Sequence, residues 1–128
     1  MIVVDSSVWI DFSGRVTPET DRLHDVLGEE PVAVGDIILT EVLQGFRHEA
    51  DARRAEQLFD TVTVLPMLGP ERAVVAAERY RALRRRGLTA RKTADVVIAS
   101  FCLTEGHRLL ASDRDFDAFT EHLGLMRA

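Results

Sequence analysis

The chain has 128 residues, of which 46% are hydrophobic and 29% are charged, with one cysteine and a formal net charge of −5. These values exclude a disordered tail and predict one globular domain over residues 1–128 with a single hydrophobic core. No apolar run approaches the ~20 residues that span a bilayer, and no signal peptide is expected. The lone Cys102 indicates a reducing cytoplasm. The acidic net charge by itself argues against nucleic acid as a partner.

Short apolar runs alternate with helical patterns along the whole chain. The first run, Ile2–Val4, shows no alternation, which is typical of a strand buried on both faces. Further strands are predicted at residues 31–35, 62–65 and 108–111, with a candidate fifth at 125–126. Helices are predicted at residues 8–12, 18–28, 37–46 (capped by Asp36), 49–60, 70–86 and 93–105 (capped by Thr93). This alternation predicts an α/β fold with three α/β/α layers and a short, mainly parallel central sheet.

Two carboxylates follow predicted strands directly. Asp5 comes after the first strand, and Asp113 comes after the strand at 108–111. Ligand sites in open α/β sheets lie beyond the carboxyl ends of the strands, so both residues are candidates for one site. An aspartate in this position also often serves as a helix cap or a turn residue, and that alternative stays open for each of them.

Two more carboxylates lie within predicted helices. Glu41 is at the rim of the apolar arc of its helix, where it must reach solvent, a basic partner or a metal ion. Asp95 lies in the first turn of the helix at 93–105, whose apolar side chains surround most of the axis and predict burial. The alternatives are a Glu41 side chain that extends to solvent and an Asp95 that only interacts with the helix dipole.

Together, Asp5, Glu41, Asp95 and Asp113 predict a metal site. Four neighbouring carboxylates would repel one another, and their pKa values would rise unless a cation neutralised them. The chain offers no pair of Cys or His ligands, which disfavours zinc. A set of oxygen ligands suits Mg²⁺ or Mn²⁺, and such an ion can activate water for attack on a phosphodiester.

Four ordered stretches carry a resemblance to a known family. They are IVVDSSVWID at 2–11, LTEVLQGF at 39–46, RKTADVVIA at 91–99 and LASDRDF at 110–116. The pattern resembles PIN-domain ribonucleases, specifically the VapC-like toxins of bacterial toxin–antitoxin pairs, and it covers essentially the whole chain. The resemblance implies that the four carboxylates form the acidic metal site and that Asp115 contributes to it. Ser6 and Ser112, each beside a carboxylate, would support the site.

The resemblance also implies an activity and partners. The chain would be a metal-dependent endoribonuclease that uses Mg²⁺ or Mn²⁺ and acts as the toxin of a toxin–antitoxin pair. Its expected substrate is RNA, with transfer or ribosomal RNA as the candidates. A homodimer is expected, and a cognate antitoxin protein would cover the active-site groove.

A basic stripe accompanies the acidic residues in the sequence. Residues 72–92 contain eight basic side chains and one acidic side chain. Arg84, Arg85, Arg86, Arg91 and Lys92 are candidates for holding RNA phosphates, with an affinity that falls as salt rises. The alternative is that these cations stabilise the helix dipole or form a solvated face.

Two other functions compete with the ribonuclease. A PIN-like module that binds RNA or protein without cutting would not benefit from clustered anions. A phosphoaspartyl phosphatase or receiver domain also places an aspartate after its first strand, but it needs a lysine after a later strand. The only lysine, Lys92, precedes a predicted helix instead.

Overall fold

A parallel four-stranded sheet forms the centre of the computed structural model, which describes residues 1–128. Its strands are β1 (Ile2–Val4), β2 (Val32–Gly35), β3 (Thr63–Leu65) and β4 (Arg108–Leu110). The helices are α1 (Ser6–Phe12), α2 (Pro18–Val26), α3 (Asp36–Gln44), α4 (Glu49–Phe59), α5 (Pro70–Arg85), α6 (Thr93–Glu105) and α7 (Asp117–Leu123), with a 3₁₀ turn at Arg114–Phe116. The predicted α/β class and parallel sheet are confirmed.

The strand order β3-β2-β1-β4 places β1 in the interior of the sheet. Ile2 is in register with Val32 of β2 on one side and with Arg108 of β4 on the other. The chain moves outward from β1 through β2 to β3 and then returns to the other side of β1. Because parallel crossovers are right-handed, α1–α4 and α5–α6 lie on opposite faces of the sheet. The strand order reverses between β1 and β4, which is where such sheets form a crevice.

Two predicted helix caps are wrong by one residue. Asp36 and Thr93 are the first residues of α3 and α6, and the residues before them, Gly35 and Lys92, occupy the capping positions. The Oδ1 atom of Asp36 accepts from the backbone N–H of Ile37 at 2.9 Å and also from that of Met67 at 3.1 Å. The bond from Met67 ties the start of α3 to the chain that leaves β3.

The candidate fifth strand at 125–126 is also wrong. The chain makes a single parallel bridge there, between Leu109 and Arg127. Two hydrogen bonds, from Leu109 N–H to Met126 O and from Ala128 N–H to Leu109 O, complete this pairing at 2.9 and 3.0 Å. Gly124, at φ 80°, turns the chain out of α7 immediately before it, so only one residue pair comes into register.

One hydrophobic core of 26 buried residues includes side chains from the sheet and from the helices packed against it. Ile2, Val3 and Val4 are fully buried, as the unalternating apolar run predicts. Eight consecutive residues of α6, from Asp95 to Cys102, are buried as well, so this helix lies inside the molecule. None of the helices combines the length and apolar character that crossing a membrane requires.

Candidate metal centre

Asp5 stands at the point where β1 turns into α1. Its backbone is extended and occupies the N-cap position of α1, and its N–H donates to the carbonyl oxygen of Leu110 in β4 at 2.9 Å. This hydrogen bond fixes Asp5 over the crevice between the two strands. The residue is 4% exposed, so its carboxylate is almost completely removed from water.

The two oxygens of the Asp5 carboxylate are bonded differently. The hydroxyl of Ser7 donates to Oδ2 at 2.9 Å, whereas Oδ1 is buried and has no hydrogen-bond partner. Burial raises the pKa of Asp5, the Ser7 hydroxyl partly offsets this rise, and the negative charge of Asp113 adds to it.

Asp95 is the most strongly perturbed carboxylate. It lies in the first turn of α6, it is 5% exposed, and its Oδ2 has no partner. Burial and the charges of Asp5 and Asp113 raise the pKa of Asp95 to about 6, although Lys92 acts in the opposite direction. The helix dipole alone does not account for this residue, because an acid that served only as a dipole partner would remain solvated.

Asp113 and Asp115 follow β4 and approach Asp95. Asp113 begins the 3₁₀ turn, and its Oδ1 accepts from the backbone N–H of Asp115 at 2.9 Å. Each of the three aspartates brings one carboxylate oxygen into a group in which all these atoms lie within 4.8 Å of one another. Asp115 Oδ2 is buried without a partner, and its Oδ1 accepts from Arg91.

Glu41 approaches the same crevice from α3. The residue is half-buried, and its Oε1 is buried without a hydrogen-bond partner. Burial and then the negative charge of Asp5 raise the pKa of Glu41, and Lys92 and the side chain of Ser6 partly offset this rise. We call the five carboxylates the acidic cluster: Asp5, Glu41, Asp95, Asp113 and Asp115.

The acidic cluster fits a divalent cation. Four of its residues hold a buried carboxylate oxygen without any hydrogen-bond partner. Such atoms are costly and rare in native proteins unless an ion or a water satisfies them. Because the donors are all oxygens and no histidine or cysteine joins the group, they suit a hard ion that keeps part of its hydration shell.

Three serines lie beside the cluster, of which the sequence predicted two. The predicted Ser6 acts on Glu41 through its side chain and on Asp5 through its backbone N–H, and Ser7, which the sequence analysis did not single out, donates directly to Asp5. Ser112 lies 3.2 Å from the Ser7 hydroxyl and has no hydrogen bond to a carboxylate. The signal for Ser7 was its place two residues after Asp5, because Asp5 caps the helix that begins at Ser6.

The basic stripe, defined as the eight basic residues of 72–92, is split by the structure. Arg79 donates to the carbonyl oxygen and the hydroxyl of Ser100 at 2.6 and 2.8 Å, and Arg72 bonds Glu105 at 2.7 Å. These two residues hold α5 against α6 and are not free for a ligand.

The rest of the stripe points toward solvent. Arg84 lies over the Tyr80 ring at 5.7 Å, and Arg86 approaches Nδ1 of His122 at 3.2 Å. Arg91 is paired with Asp115. Arg85 and Lys92 are exposed and form no hydrogen bond or ion pair through their side chains.

The remaining reactive side chain, Cys102, is not a nucleophile. It is fully buried, and burial raises the pKa of its thiol to about 12. A thiol in this environment stays protonated at neutral pH and is unreactive.

The comparisons with known proteins agree with one another. The family model described as PIN domain matches residues 2–121. The chain is 33% identical to VapC ribonuclease Mb1587 of Mycobacterium bovis over 134 aligned positions, which cover 100% of this chain and 98% of that protein. VapBC2 from Rickettsia felis, solved bound to a DNA fragment from its promoter, superimposes with a TM-score of 0.79 at 15% identity and covers 100% of this chain and 98% of its own.

A third protein has the same fold. Mycobacterium tuberculosis VapC20, described as a toxin that cleaves the sarcin–ricin loop, superimposes with a TM-score of 0.66 at 20% identity. The match covers 100% of this chain and 98% of that chain. At this identity the likeness concerns the fold alone.

Proposed function

The chain belongs to the PIN-domain family and to its VapC ribonucleases, and from this premise we propose that its acidic cluster holds Mg²⁺ or Mn²⁺ for endonucleolytic cleavage of RNA. In this proposal Asp5, Glu41, Asp95 and Asp113 are the catalytic and metal-holding residues, and Asp115 contributes to the metal site. The chain is then the toxin of a toxin–antitoxin pair.

The observation that carries the proposal is the convergence of buried, unpartnered carboxylate oxygens at one edge of the sheet. Asp5 and Asp95 are almost fully buried, and burial raises the pKa of both. A fold gains nothing in stability from this arrangement by itself, since it leaves buried charges unsatisfied. A bound cation converts the same arrangement into a satisfied site.

The protein groups divide the work by their environment. Asp5 and Asp95 hold the ion from buried positions, and Ser7 fixes the orientation of the Asp5 carboxylate. When bound, the ion lowers the pKa of a water molecule and stabilises negative charge on a phosphoryl oxygen. Glu41 has a raised pKa and an unpartnered Oε1, so it is suited to accept a proton from the attacking water. None of these residues acts as a covalent nucleophile in this proposal.

RNA phosphates would contact the cations nearest the cluster. Lys92 precedes α6 and is close enough to lower the pKa values of Glu41 and Asp95. We assign Arg91 and Lys92 to phosphates near the cleavage site and Arg85 and Arg86 to the flanking strand, because all four are exposed. Transfer RNA and ribosomal RNA are the proposed substrates, which places the protein in the cytoplasm.

An antitoxin is proposed as the partner that covers the site. An apolar groove of about 370 Å³ lies between α1, α3 and α4, and Ile10, Phe46 and Leu58 in its lining are all exposed. Val42 of α3 lines this groove, so a segment seated there would contact the helix that carries Glu41. A homodimer of one-domain chains completes the proposal.

The test is an RNA cleavage assay with the purified chain, Mg²⁺ or Mn²⁺, and a chelator. We expect cleavage with either ion, none in the chelator, and a loss of about 100-fold or more for Asp5→Asn and Asp95→Asn. Asp21→Asn serves as the matched control because Asp21 is an exposed carboxylate on α2, and it should cut like the wild type.

Three results would contradict the proposal in different ways. Cleavage that persists in the chelator, or normal cleavage by both site variants, would remove the metal from the mechanism. RNA binding without any cleavage would identify a binding module. Expression of the wild-type chain alone should arrest growth while Asp95→Asn should not, and harmless wild-type expression would contradict the toxin role.

A further inference from the structure

Arg91 is the only cation that bonds directly to the acidic cluster. Its Nε and Nη2 both donate to Oδ1 of Asp115, at 3.3 and 3.0 Å. The Arg91 side chain is 75% exposed, whereas that of Asp115 is 13% exposed. The guanidinium therefore reaches the cluster from the solvent side and can leave it without disturbing the packing of the core.

The backbone around Arg91 belongs to neither a helix nor a strand. Arg91 lies between the end of α5 and the start of α6. The bond to Asp115 uses one carboxylate oxygen and leaves the buried Oδ2 without a partner. Arg91 consequently neutralises part of the cluster's charge but does not satisfy its bonding capacity.

Resting on the proposed function above, we propose that Arg91 is a metal-coupled RNA contact. In the metal-free chain Arg91 is the counter-ion of Asp115, and a divalent cation at Asp95, Asp113 and Asp115 takes over that charge. The released guanidinium then binds a phosphate of the RNA strand at the mouth of the site. Metal binding and RNA binding are thereby coupled through one side chain.

The relative strengths of the interactions favour this exchange. An ion pair whose cation is exposed is weak, because solvent and salt screen it. A doubly charged ion among three close carboxylates interacts more strongly than a single guanidinium with one of their oxygens. A phosphodiester offers the freed guanidinium two non-bridging oxygens, which the planar donor fork of arginine can bind together. Because coupling between two ligands is reciprocal, RNA must then also tighten metal binding.

Metal affinity provides the first test, measured by calorimetric titration of the full chain with Mn²⁺ in the absence of RNA. Arg91→Ala should bind Mn²⁺ about two- to fivefold more tightly than the wild type, the range expected for removal of an exposed ion-pair competitor. Arg114→Ala is the matched control, because Arg114 lies between Asp113 and Asp115, is exposed and forms no ion pair. Its Mn²⁺ affinity should stay near the wild-type value.

RNA affinity provides the second test, measured by fluorescence anisotropy of a labelled single-stranded RNA with and without Ca²⁺, with the RNA checked to be intact on a gel. Ca²⁺ should tighten RNA binding to the wild type and to Arg114→Ala by the same factor. In Arg91→Ala this factor should be smaller by about two- to fivefold, since the released contact is missing.

The outcomes separate this inference from the proposed function. If Mn²⁺ does not bind the wild type, the metal site itself is wrong. If Mn²⁺ binds but Arg91→Ala leaves its affinity unchanged, or if Arg114→Ala raises it equally, the metal site stands and the exchange at Asp115 is refuted. An equal effect of Ca²⁺ on RNA binding by the wild type and Arg91→Ala also refutes it. Unchanged thermal melting of both variants verifies that they are folded.

Discussion

In the acidic cluster, Asp5 and Asp95 are buried and their carboxylates retain unpartnered oxygens, whereas in the basic stripe the charged groups are either exposed or hydrogen-bonded. Arg79 illustrates the second case, since one of its nitrogens bonds both polar atoms of Ser100. The net charge of the chain counts the side chains of both regions without regard to their burial or their hydrogen bonds. The unsatisfied bonding of the carboxylates distinguishes a site prepared for a ligand from charges that hold helices together.

The largest effect that would test this contrast is on the stability of the metal-free chain. The pKa of Asp95 is about 6 in the folded protein, above the ordinary value of 3.8, so folding disfavours its charged form. Asp95→Asn should therefore stabilise the metal-free chain by about 2 kcal/mol at pH 7.5, after allowance for solvent screening. Urea unfolding in the presence of a chelator measures this difference.

The pH dependence follows from the direction of that shift. As pH falls from about 6 to 4, the folded state takes up a proton at Asp95 before the unfolded state does, and the wild type gains stability. The advantage of Asp95→Asn should consequently shrink at pH 4.5. An advantage that stays constant with pH, or a destabilised variant at pH 7.5, would contradict the strained state of this carboxylate.

A smaller effect is expected at the bonded end of the stripe. Arg79→Ala removes charge-assisted hydrogen bonds to Ser100 and to Oγ1 of Thr104, the latter at 2.7 Å. We expect a loss of about 1 kcal/mol in the free energy of unfolding, because the lost bonds are partly replaced by water. RNA affinity should stay within about twofold, because Arg79 is bonded to α6 and is not free to contact a phosphate. A large loss of RNA binding with unchanged stability would show that this arginine belongs to the RNA surface.

The smallest effect is expected at the exposed end of the stripe. The double variant Arg85→Ala/Arg86→Ala should bind RNA about two- to fivefold more weakly, and its salt dependence should fall by about 1.4 in log–log slope, as for two lost phosphate contacts on a single strand. Its stability should change little, since Arg85 forms no hydrogen bond or ion pair and Arg86 makes only an exposed contact with His122. An unchanged salt slope would show that Arg85 and Arg86 form a solvated face and do not contact RNA. Arg53→Ala on α4 is the control for the loss of an exposed positive charge.

Several elements could be predicted from the sequence because their signal is local. The unalternating run at Ile2–Val4 and the apolar circumference of α6 indicate burial without any knowledge of the partners. The end of α5 near Gly87, at φ 77°, follows from glycine's tolerance of the left-handed region. The errors at Asp36 and Thr93 are each a shift of one residue at a helix start, and only Asp36 has a side-chain partner from a distant part of the chain, the Met67 N–H.

The partners within the site could not be predicted in the same way. Asp5 bonds Ser7 and lies close to Asp113, and Arg91, in the stretch before α6, bonds Asp115 in the 3₁₀ turn. The sequence analysis predicted that both residues are near the site, but it assigned Arg91 to RNA phosphates and Asp115 to the metal ion. Only their contact in the folded chain indicates that one residue can regulate the availability of the other.

The net charge of −5 shows how far the sequence alone can be interpreted, because it does not say which charged residues are buried and which are exposed. By itself the sequence determined that an α/β sheet would form and that Asp5 and Asp113 would leave its strands at the same edge, because parallel connectivity requires this of any chain with such a pattern. The tertiary structure decided which carboxylates are buried, which arginines bond to α6 and which one bonds to the acidic cluster. Those outcomes depend on distances between residues far apart in the chain, and no periodicity in the sequence encodes such distances.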